Sequence, residues 1–297
     1  MTGLSAAQFS PDWLALRSDY DERSRAERLV VPFADSLNRH DGPIRFTDLA
    51  TGTAANFLYL APRLARLSTA DQIWRLVDRD PVVLHRARRR IAERAGASGW
   101  TVGAEDGGMV LDAGGWRCTI VFDRLDLARD LESLALADGE AVVLSALLDL
   151  VSPAWLQRLV RWAAAARSPI LATLTYDGSI CWEPEDREDG RMRALFNDHQ
   201  RRDKGFGPAL GPAAPGWLAA RLIAGGYVIE QIPSPWRLGR NDITMLSALV
   251  GTVSESAADQ NPQARRLAAA WASRRRAQVS AGILSATIGH VDVLARP

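Results

Sequence analysis

The stretch Ile44 to Ala65, IRFTDLATGTAANFLYLAPRLA, decides how the rest of the chain is read. Ile44, Phe46 and Leu49 form an apolar strand interrupted by Asp48. A run of small residues follows, Ala50-Thr51-Gly52-Thr53-Ala54-Ala55, and then a helical stripe through Phe57, Leu60, Ala61 and Leu64. Strand, small-residue turn and helix in that order open a nucleotide-type binding unit. The turn lets backbone amides approach a ligand, and no bulky side chain blocks it.

The residues around this stretch continue the alternation. Gln72 to Asp78 (QIWRLVD) reads as a second strand, and Asp80-Pro81 opens a helix with Leu84, Ala87, Ile91 and Ala95 on one face. Thirty residues separate Asp48 from Asp78, the length of one crossover unit. Turn signals at Asp106-Gly107-Gly108 and Ala113-Gly114-Gly115 bracket Met109-Val110-Leu111, an inserted hairpin strand. Trp116 to Phe122 reads as the third main strand, with a short helix from Leu127 to Leu136 beyond it. Ala141 to Ser145 is a buried strand of the parallel type, and Ser152-Pro153 opens a helix to Ala166. Pro169 to Tyr176 is a fifth strand. A polar stretch from Asp177 to Phe206 with a helix near Asp189–Arg201, a helix from Pro215 to Ala224 and a strand from Tyr227 to Ile232 come next. Arg240 to Gln278 is helical with a break at Asn261-Pro262, and Ile283 to Leu294 closes the sheet. On the N-terminal side, Trp13 to Arg39 reads as helix, capped by Asp12 and kinked or divided at Pro32, placed either over the ligand cleft or beneath the sheet. Strand and helix alternate throughout, so one doubly wound α/β domain is expected.

Composition narrows the functional classes. The 297 residues are 47% apolar and 24% charged, with a net charge of +1 and both signs mixed along the chain. A nucleic-acid footprint would need a basic patch, which this pattern does not offer. No apolar run approaches the ~20 residues of a membrane span, and the N-terminus lacks a signal-peptide pattern, so a cytoplasmic protein is expected. Cys118 and Cys181 are far apart, without histidine or cysteine at metal spacing, and read as reduced thiols. Of the 36 basic residues, Lys204 is the one lysine. The triple Arg274-Arg275-Arg276 reads as a solvated helix face. Nucleophile-elbow, zinc-protease and P-loop motifs are absent from the sequence.

The ordered motifs resemble the class I S-adenosylmethionine-dependent methyltransferases over roughly residues 40 to 240 plus the closing strand. Asp48-Leu49-Ala50-Thr51-Gly52-Thr53-Ala54 sits where that family has an acidic residue followed by G-x-G-x-G. Asp78 sits where the family holds the ribose hydroxyls, and Asp126-Leu127 where it meets the adenine. Ser145 and Ala146 end the fourth strand, where the family lines the methyl-donor cleft. The resemblance implies a Rossmann-like, doubly wound, mostly parallel seven-stranded sheet with an antiparallel final strand, N-terminal helices and a small β-hairpin insertion. It implies a helical lead-in or lid over residues 1–42 and a methyltransferase domain over 43–297, with a helical insertion at about 240–280. Asn56 and Arg79 join the expected S-adenosylmethionine site. A carboxylate only accepts hydrogen bonds, which suits a diol or an exocyclic amine. Ala50 and Ala54 depart from the family's first and third glycines, and their methyls are expected to demand ordinary backbone angles and to crowd the ligand.

The acceptor side follows the fourth and fifth strands. Asp149 and His199 are the candidates for proton transfer, and Tyr176, Asp177, Arg201, Lys204 and Phe206 for substrate contact. Lys204 and Arg201 suit an anionic group and Phe206 a ring. His85 and His40 read as surface residues, and His290 as a strand residue without a visible partner. The expected activity is methyl transfer to a nitrogen or oxygen of a small molecule, without metal, nucleic acid or membrane, with the oligomeric state open. Two readings stand beside it: a non-catalytic binding or scaffold protein on the same fold, motivated by the two alanines, and an NAD-dependent oxidoreductase. The latter fingerprint wants three glycines where this turn has one.

Overall fold

A computed structural model describes residues 11–37, 42–105 and 107–297. His40 and Asp106 lie outside them. The elements in chain order are α1 (Pro11–Ser24), α2 (Val30–Leu37), β1 (Ile44–Leu49), α3 (Ala55–Ala65), β2 (Gln72–Asp78), α4 (Pro81–Ala97), β3 (Thr101–Gly103), β4 (Met109–Asp112), β5 (Arg117–Arg124) and the short α5 (Leu127–Asp130). After these come β6 (Ala141–Ser145), α6 (Pro153–Ala165), β7 (Ile170–Glu183), α7 (Asp189–Gln200), α8 (Ala214–Ala224), β8 (Val228–Pro233), β9 (Trp236–Leu238), α9 (Ile243–Gln260), α10 (Arg265–Ser280) and β10 (Ser285–Arg296).

The sheet runs β3-β4-β5-β2-β1-β6-β7-β10-β8, with β9 also paired to β10. β5, β2, β1, β6 and β7 are mutually parallel, and β10 is antiparallel to both β7 and β8. This is the Rossmann-like, doubly wound arrangement: the chain steps outward from β1 to β2 and β5, then returns to fill the other side. The β3–β4 hairpin adds to the β5 edge. Parallel strands buried on both faces need apolar side chains throughout, and Ala141–Leu144 supplies four residues no more than 1% exposed. One core layer packs Phe33, Phe57 and Ile91 of α2, α3 and α4 against Phe46 and Trp74 of the sheet. The opposite layer packs Trp155, Leu159 and Leu222 of α6 and α8 against Val142 and Ala172. A third cluster joins α7, α9 and α10 through Met192, Leu249 and Trp271 to Trp182 and Ile288. No helix among the described residues is long and apolar enough to cross a membrane.

Three expectations are corrected. The N-terminal helix divides at Arg25-Ala26 rather than at Pro32, because Pro32 falls in the first turn of α2, where a missing N–H costs no intrahelical bond. The fifth strand does not stop at Tyr176 but runs on to Glu183. Its second half alternates, with Ile180 and Trp182 buried and Cys181 and Glu183 exposed, and it pairs with Ser285–Ile288, whose other edge takes β9, as a three-stranded extension. Arg275 is not solvated. It is fully buried and donates to Asp189, Gln278 Oε1 and the carbonyl of Pro184, while Arg274 pairs with Asp186.

Candidate active site

Parallel strands point their carboxyl ends to one edge, and side chains at consecutive strand tips converge there. In this chain the tips of β1, β2, β5 and β6 surround a cavity of about 230 Å³. The turn lines it with Asp48, Ala50, Thr51, Gly52, Thr53 and Asn56, together with Asp78-Arg79 from β2, Asp126-Leu127 beyond β5 and Ser145-Ala146 from β6. All twelve residues assigned to the cofactor from sequence therefore border a single space.

Asp48 holds the turn from inside. It is 1% exposed, and Thr51 Oγ1 donates to its Oδ2 at 2.5 Å and Asn56 Nδ2 to its Oδ1 at 3.1 Å. Desolvation pushes its carboxyl up to about 6, against those two hydrogen bonds and the charge of Arg25. Asp78 fastens the turn from the neighbouring strand, accepting the backbone N–H of Gly52 at 3.1 Å and of Asp80 at 3.0 Å. A carboxylate offers about four lone-pair sites, so acceptor capacity remains for groups in the cavity. Asp126 caps α5 by accepting the N–H of Ala128 at 3.1 Å.

The turn corrects the expectation for its alanines. Ala50 (φ 52°), Gly52 (φ 57°) and Ala54 (φ 63°) all lie in the left-handed region. The backbone thus keeps a glycine-type path and the methyl groups are carried under strain, rather than the turn relaxing to ordinary angles. Around Gly52 the space is open, since a β-carbon there would meet Leu14 Cδ1 at 3.9 Å and nothing nearer. A ligand has room to lie against this backbone.

The cavity has a roof. Leu14, Arg17 and Asp21 of α1 line it from above. Tyr20 Oη donates to Asp242 Oδ1 at 2.8 Å, Trp236 Nε1 donates to Asp21 Oδ1 at 3.0 Å, and Arg90 reaches Ser18, fixing α1 across the strand tips. The joint behind α1 is buried. Arg25, 6% exposed, donates to Asn56 Oδ1 at 2.5 Å, Thr173 Oγ1 at 2.7 Å and Ser145 Oγ at 3.2 Å. Beside it, Asp292 accepts the N–H groups of Ala26 and Leu174 and the hydroxyl of Ser234. Sequence reasoning passed over Arg17, Asp21 and Arg25, which sit in a segment dense with arginine and acid and carry no local signal of their long-range partners.

A second cavity of about 110 Å³ adjoins the first, sharing Arg17, Ala146 and Leu150 with it. Trp13, Tyr176, Phe196 and Trp236 supply rings, and Asp149, Gln200 and His290 supply polar groups. Asp149 is 8% exposed, and burial pushes it up to about 6 while Arg17 and Lys204 pull the other way. His290 is driven down to about 3, chiefly by desolvation and then by Arg17, so its ring is neutral. Gln200, His290, Trp13 and Trp236 were missed as site residues. The antiparallel closure of β10, the docking of β9 and the packing of α7 and α1 bring them to Tyr176 and Asp149.

The remaining substrate candidates separate. Lys204 and Phe206 line the first cavity rather than the second, with Phe206 edge-on to Trp155 at 5.2 Å. His199, Asp177 and Arg201 border neither cavity. His199 Nε2 lies 3.3 Å from Asp259, and desolvation holds its pKa below the usual value. Asp177 Oδ1 accepts from Ser179 N and Oγ, closing a bend within β7. Arg201 pairs with Asp198 at 2.8 Å. Among the described residues no group of three or more His, Cys, Asp or Glu is arranged to hold a metal ion.

No family model matches the chain, and no curated protein matches it. Among solved structures it is similar to an S-adenosylmethionine-dependent methyltransferase from Thiobacillus denitrificans in complex with S-adenosyl-L-homocysteine, at 15% identity, 97% of this chain, 99% of that chain and a TM-score of 0.41. A methyltransferase from Geobacter sulfurreducens with the same ligand gives 14%, 96%, 97% and 0.41. The cyclopropane synthase MmaA2 from Mycobacterium tuberculosis gives 8%, 91%, 83% and 0.43. At such identities and overlaps, the chemistry of the site rests on its own geometry.

Proposed function

We propose that this protein is an S-adenosylmethionine-dependent methyltransferase acting on a nitrogen or oxygen atom of a small molecule. The observation that carries the reading is the single cavity bordered by Asp78, Asp126-Leu127, Ser145-Ala146 and the left-handed turn at Ala50–Ala54. The donor set fits the cofactor. Asp78 offers acceptor oxygens to ribose hydroxyls, Asp126 accepts an exocyclic amine while Leu127 packs on the ring, and the open backbone at Gly52 admits the amino-acid end. The cofactor, when bound, supplies an electrophilic methyl group on a sulfonium centre. The chain's own contribution is to orient the acceptor, exclude water and take up its proton. Alignment and proximity provide most of such an acceleration. Asp149, on the wall of the second cavity next to the shared Leu150 and ionised at neutral pH, is the proton acceptor in this reading. His199, turned to Asp259 away from both cavities, is not. Helix α1 acts as the lid over residues whose domain spans 43–297, and the helices of about 240–280 wall the acceptor side.

Calorimetry with S-adenosylmethionine tests the reading: saturable binding is expected, and absence of heat up to millimolar ligand overturns it. Asp78→Ala is expected to weaken that binding by at least ~1.5 kcal/mol, the contribution of a hydrogen bond to a charged group. An unchanged affinity would remove ribose recognition from Asp78.

A further inference from the structure

The second cavity has a chemical character of its own. Buried polar atoms are ordinarily hydrogen-bonded, and an unpartnered one marks an omitted partner or a strained site. Two such atoms belong to side chains that line this one small space. Gln200 Oε1 and His290 Nδ1 have no hydrogen-bond partner, and their side chains belong to residues 7% and 5% exposed. A glutamine carbonyl oxygen is an acceptor, and a neutral imidazole nitrogen complements either a donor or an acceptor. The other walls combine four rings with the aliphatic side chains of Leu150, Leu174, Ile180, Leu249 and Ile288. Tyr176 and Phe196 meet edge-to-face at 5.7 Å, and Trp236 lies 4.9 Å from the His290 ring and 6.4 Å from Trp13.

Size and charge restrict the occupant further. At about 110 Å³ the cavity is smaller than the ~150 Å³ apolar cavity that holds benzene, so nothing larger than one ring is accommodated, and that ring extends from it toward the adjoining first cavity. Arg17 is the cation that lines the second cavity, and its charge is already paired. Its Nε and Nη2 donate to Asp21 at 2.8 and 3.1 Å, and its guanidinium stacks 4.9 Å from the Trp236 ring centroid. An anionic ligand would meet the Asp149 carboxylate and a guanidinium already paired with Asp21, and a cationic one would find the Trp236 face taken and would occupy the Asp149 carboxylate that the methyltransferase reading needs for the proton.

We propose that the methyl acceptor is a compact, uncharged, single-ring aromatic or heteroaromatic molecule bearing O–H or N–H donors, seated in this second cavity. Its ring lies among Trp13, Tyr176, Phe196 and Trp236, and its donors are recognised by Gln200 and His290. This rests on the methyltransferase reading. Asp149 then receives the proton of the O–H or N–H whose oxygen or nitrogen gains the methyl group, the carbon–sulfur bond of the sulfonium breaks to leave a thioether, and charge and atoms balance.

The test uses the full chain, with and without saturating S-adenosyl-L-homocysteine, and four probes: catechol, fluorobenzene, benzoate and benzylammonium. Calorimetry should give catechol an affinity at least tenfold above the other three. Gln200→Leu should cut that margin to threefold or less with S-adenosyl-L-homocysteine affinity unchanged, and His290→Phe should narrow it independently. Tighter binding of benzoate or of benzylammonium, absence of catechol binding, or a margin retained in both variants would overturn the proposal. Loss of S-adenosyl-L-homocysteine binding alone would instead strike the cofactor reading, because the second cavity can be titrated without it.

Discussion

Ala50 and Ala54 show how much one methyl group depends on where it sits. Both occupy left-handed backbone, which costs an L-residue roughly 1–2 kcal/mol. Replacement by glycine relieves that strain but returns roughly 0.5–1 kcal/mol of backbone entropy to the unfolded chain. At Ala50, half-buried on the cavity wall, the balance favours glycine, and urea unfolding of Ala50→Gly should show a gain on the order of 0.5–1 kcal/mol. At Ala54 the methyl is fully buried, and its loss removes about 0.8 kcal/mol of burial, so Ala54→Gly should come out near neutral. Equal responses at the two positions would contradict the different burial of the two methyls. The sequence located these alanines at the turn, but their backbone angles are imposed by Asp48, Asn56 and Asp78 clamping the turn on both sides.

At the scale of elements, α1 is the one whose role was least legible in sequence. Its apolar positions are sparse among charges, and its partners lie more than two hundred residues away, as in the Tyr20–Asp242 and Asp21–Trp236 hydrogen bonds. If α1 is the lid of the first cavity, weakening its latch should speed ligand release without touching the pocket floor. Tyr20→Phe removes a hydrogen bond of about 1 kcal/mol, and stopped-flow release of S-adenosylmethionine should accelerate about fivefold. An unchanged release rate would make α1 a static wall. By contrast, β2, β6 and α7 were legible to within a residue or two. Each combines an apolar period with clear punctuation: Asp78 and Asp80-Pro81 after β2, Ser145 at the end of β6 and Asp189 at the start of α7. The second half of β7 escaped because Asp177-Gly178-Ser179 carries the signature of a loop. Its partner Gly289 makes the bend tolerable, since a β-carbon there would meet Ser179 Oγ at 1.9 Å.

For the whole molecule, the packing of the second cavity leaves a mark on stability. His290 titrates near 3 in the folded protein, held neutral by burial and by Arg17, against about 6.5 in an unfolded chain. Tyr176, Trp236 and Asp149 line the same space. Below about pH 6.5 the unfolded state binds the extra proton, so the contribution of neutral His290 is fully present above that pH and is lost as pH falls toward 3. Compared with His290→Phe, the wild-type protein should lose stability at up to roughly 1.4 kcal/mol per pH unit between about pH 6.5 and 4. Denaturant unfolding of both proteins at pH 7 and pH 5 measures it. A constant difference between the two would mean that His290 titrates in the fold as it does in the unfolded chain.

The sequence alone determined the alternation of strand and helix, the small-residue turn at Ala50–Ala55 and the acids at successive strand ends. These are local: each follows from a period of apolar residues or from the chemistry of one turn, and the parallel winding then gathers Asp48, Asp78 and Asp126 at one edge without further instruction. Tertiary structure decided the rest. Whether Arg25 is buried, whether His199 or Asp149 faces a cavity, and whether His290 meets Tyr176 and Gln200 depend on pairings across the chain. Foremost among these are the antiparallel return of β10 beside β7 and the docking of α1 on β9. Such contacts are fixed by the mutual fit of packed faces, which no short window of sequence contains.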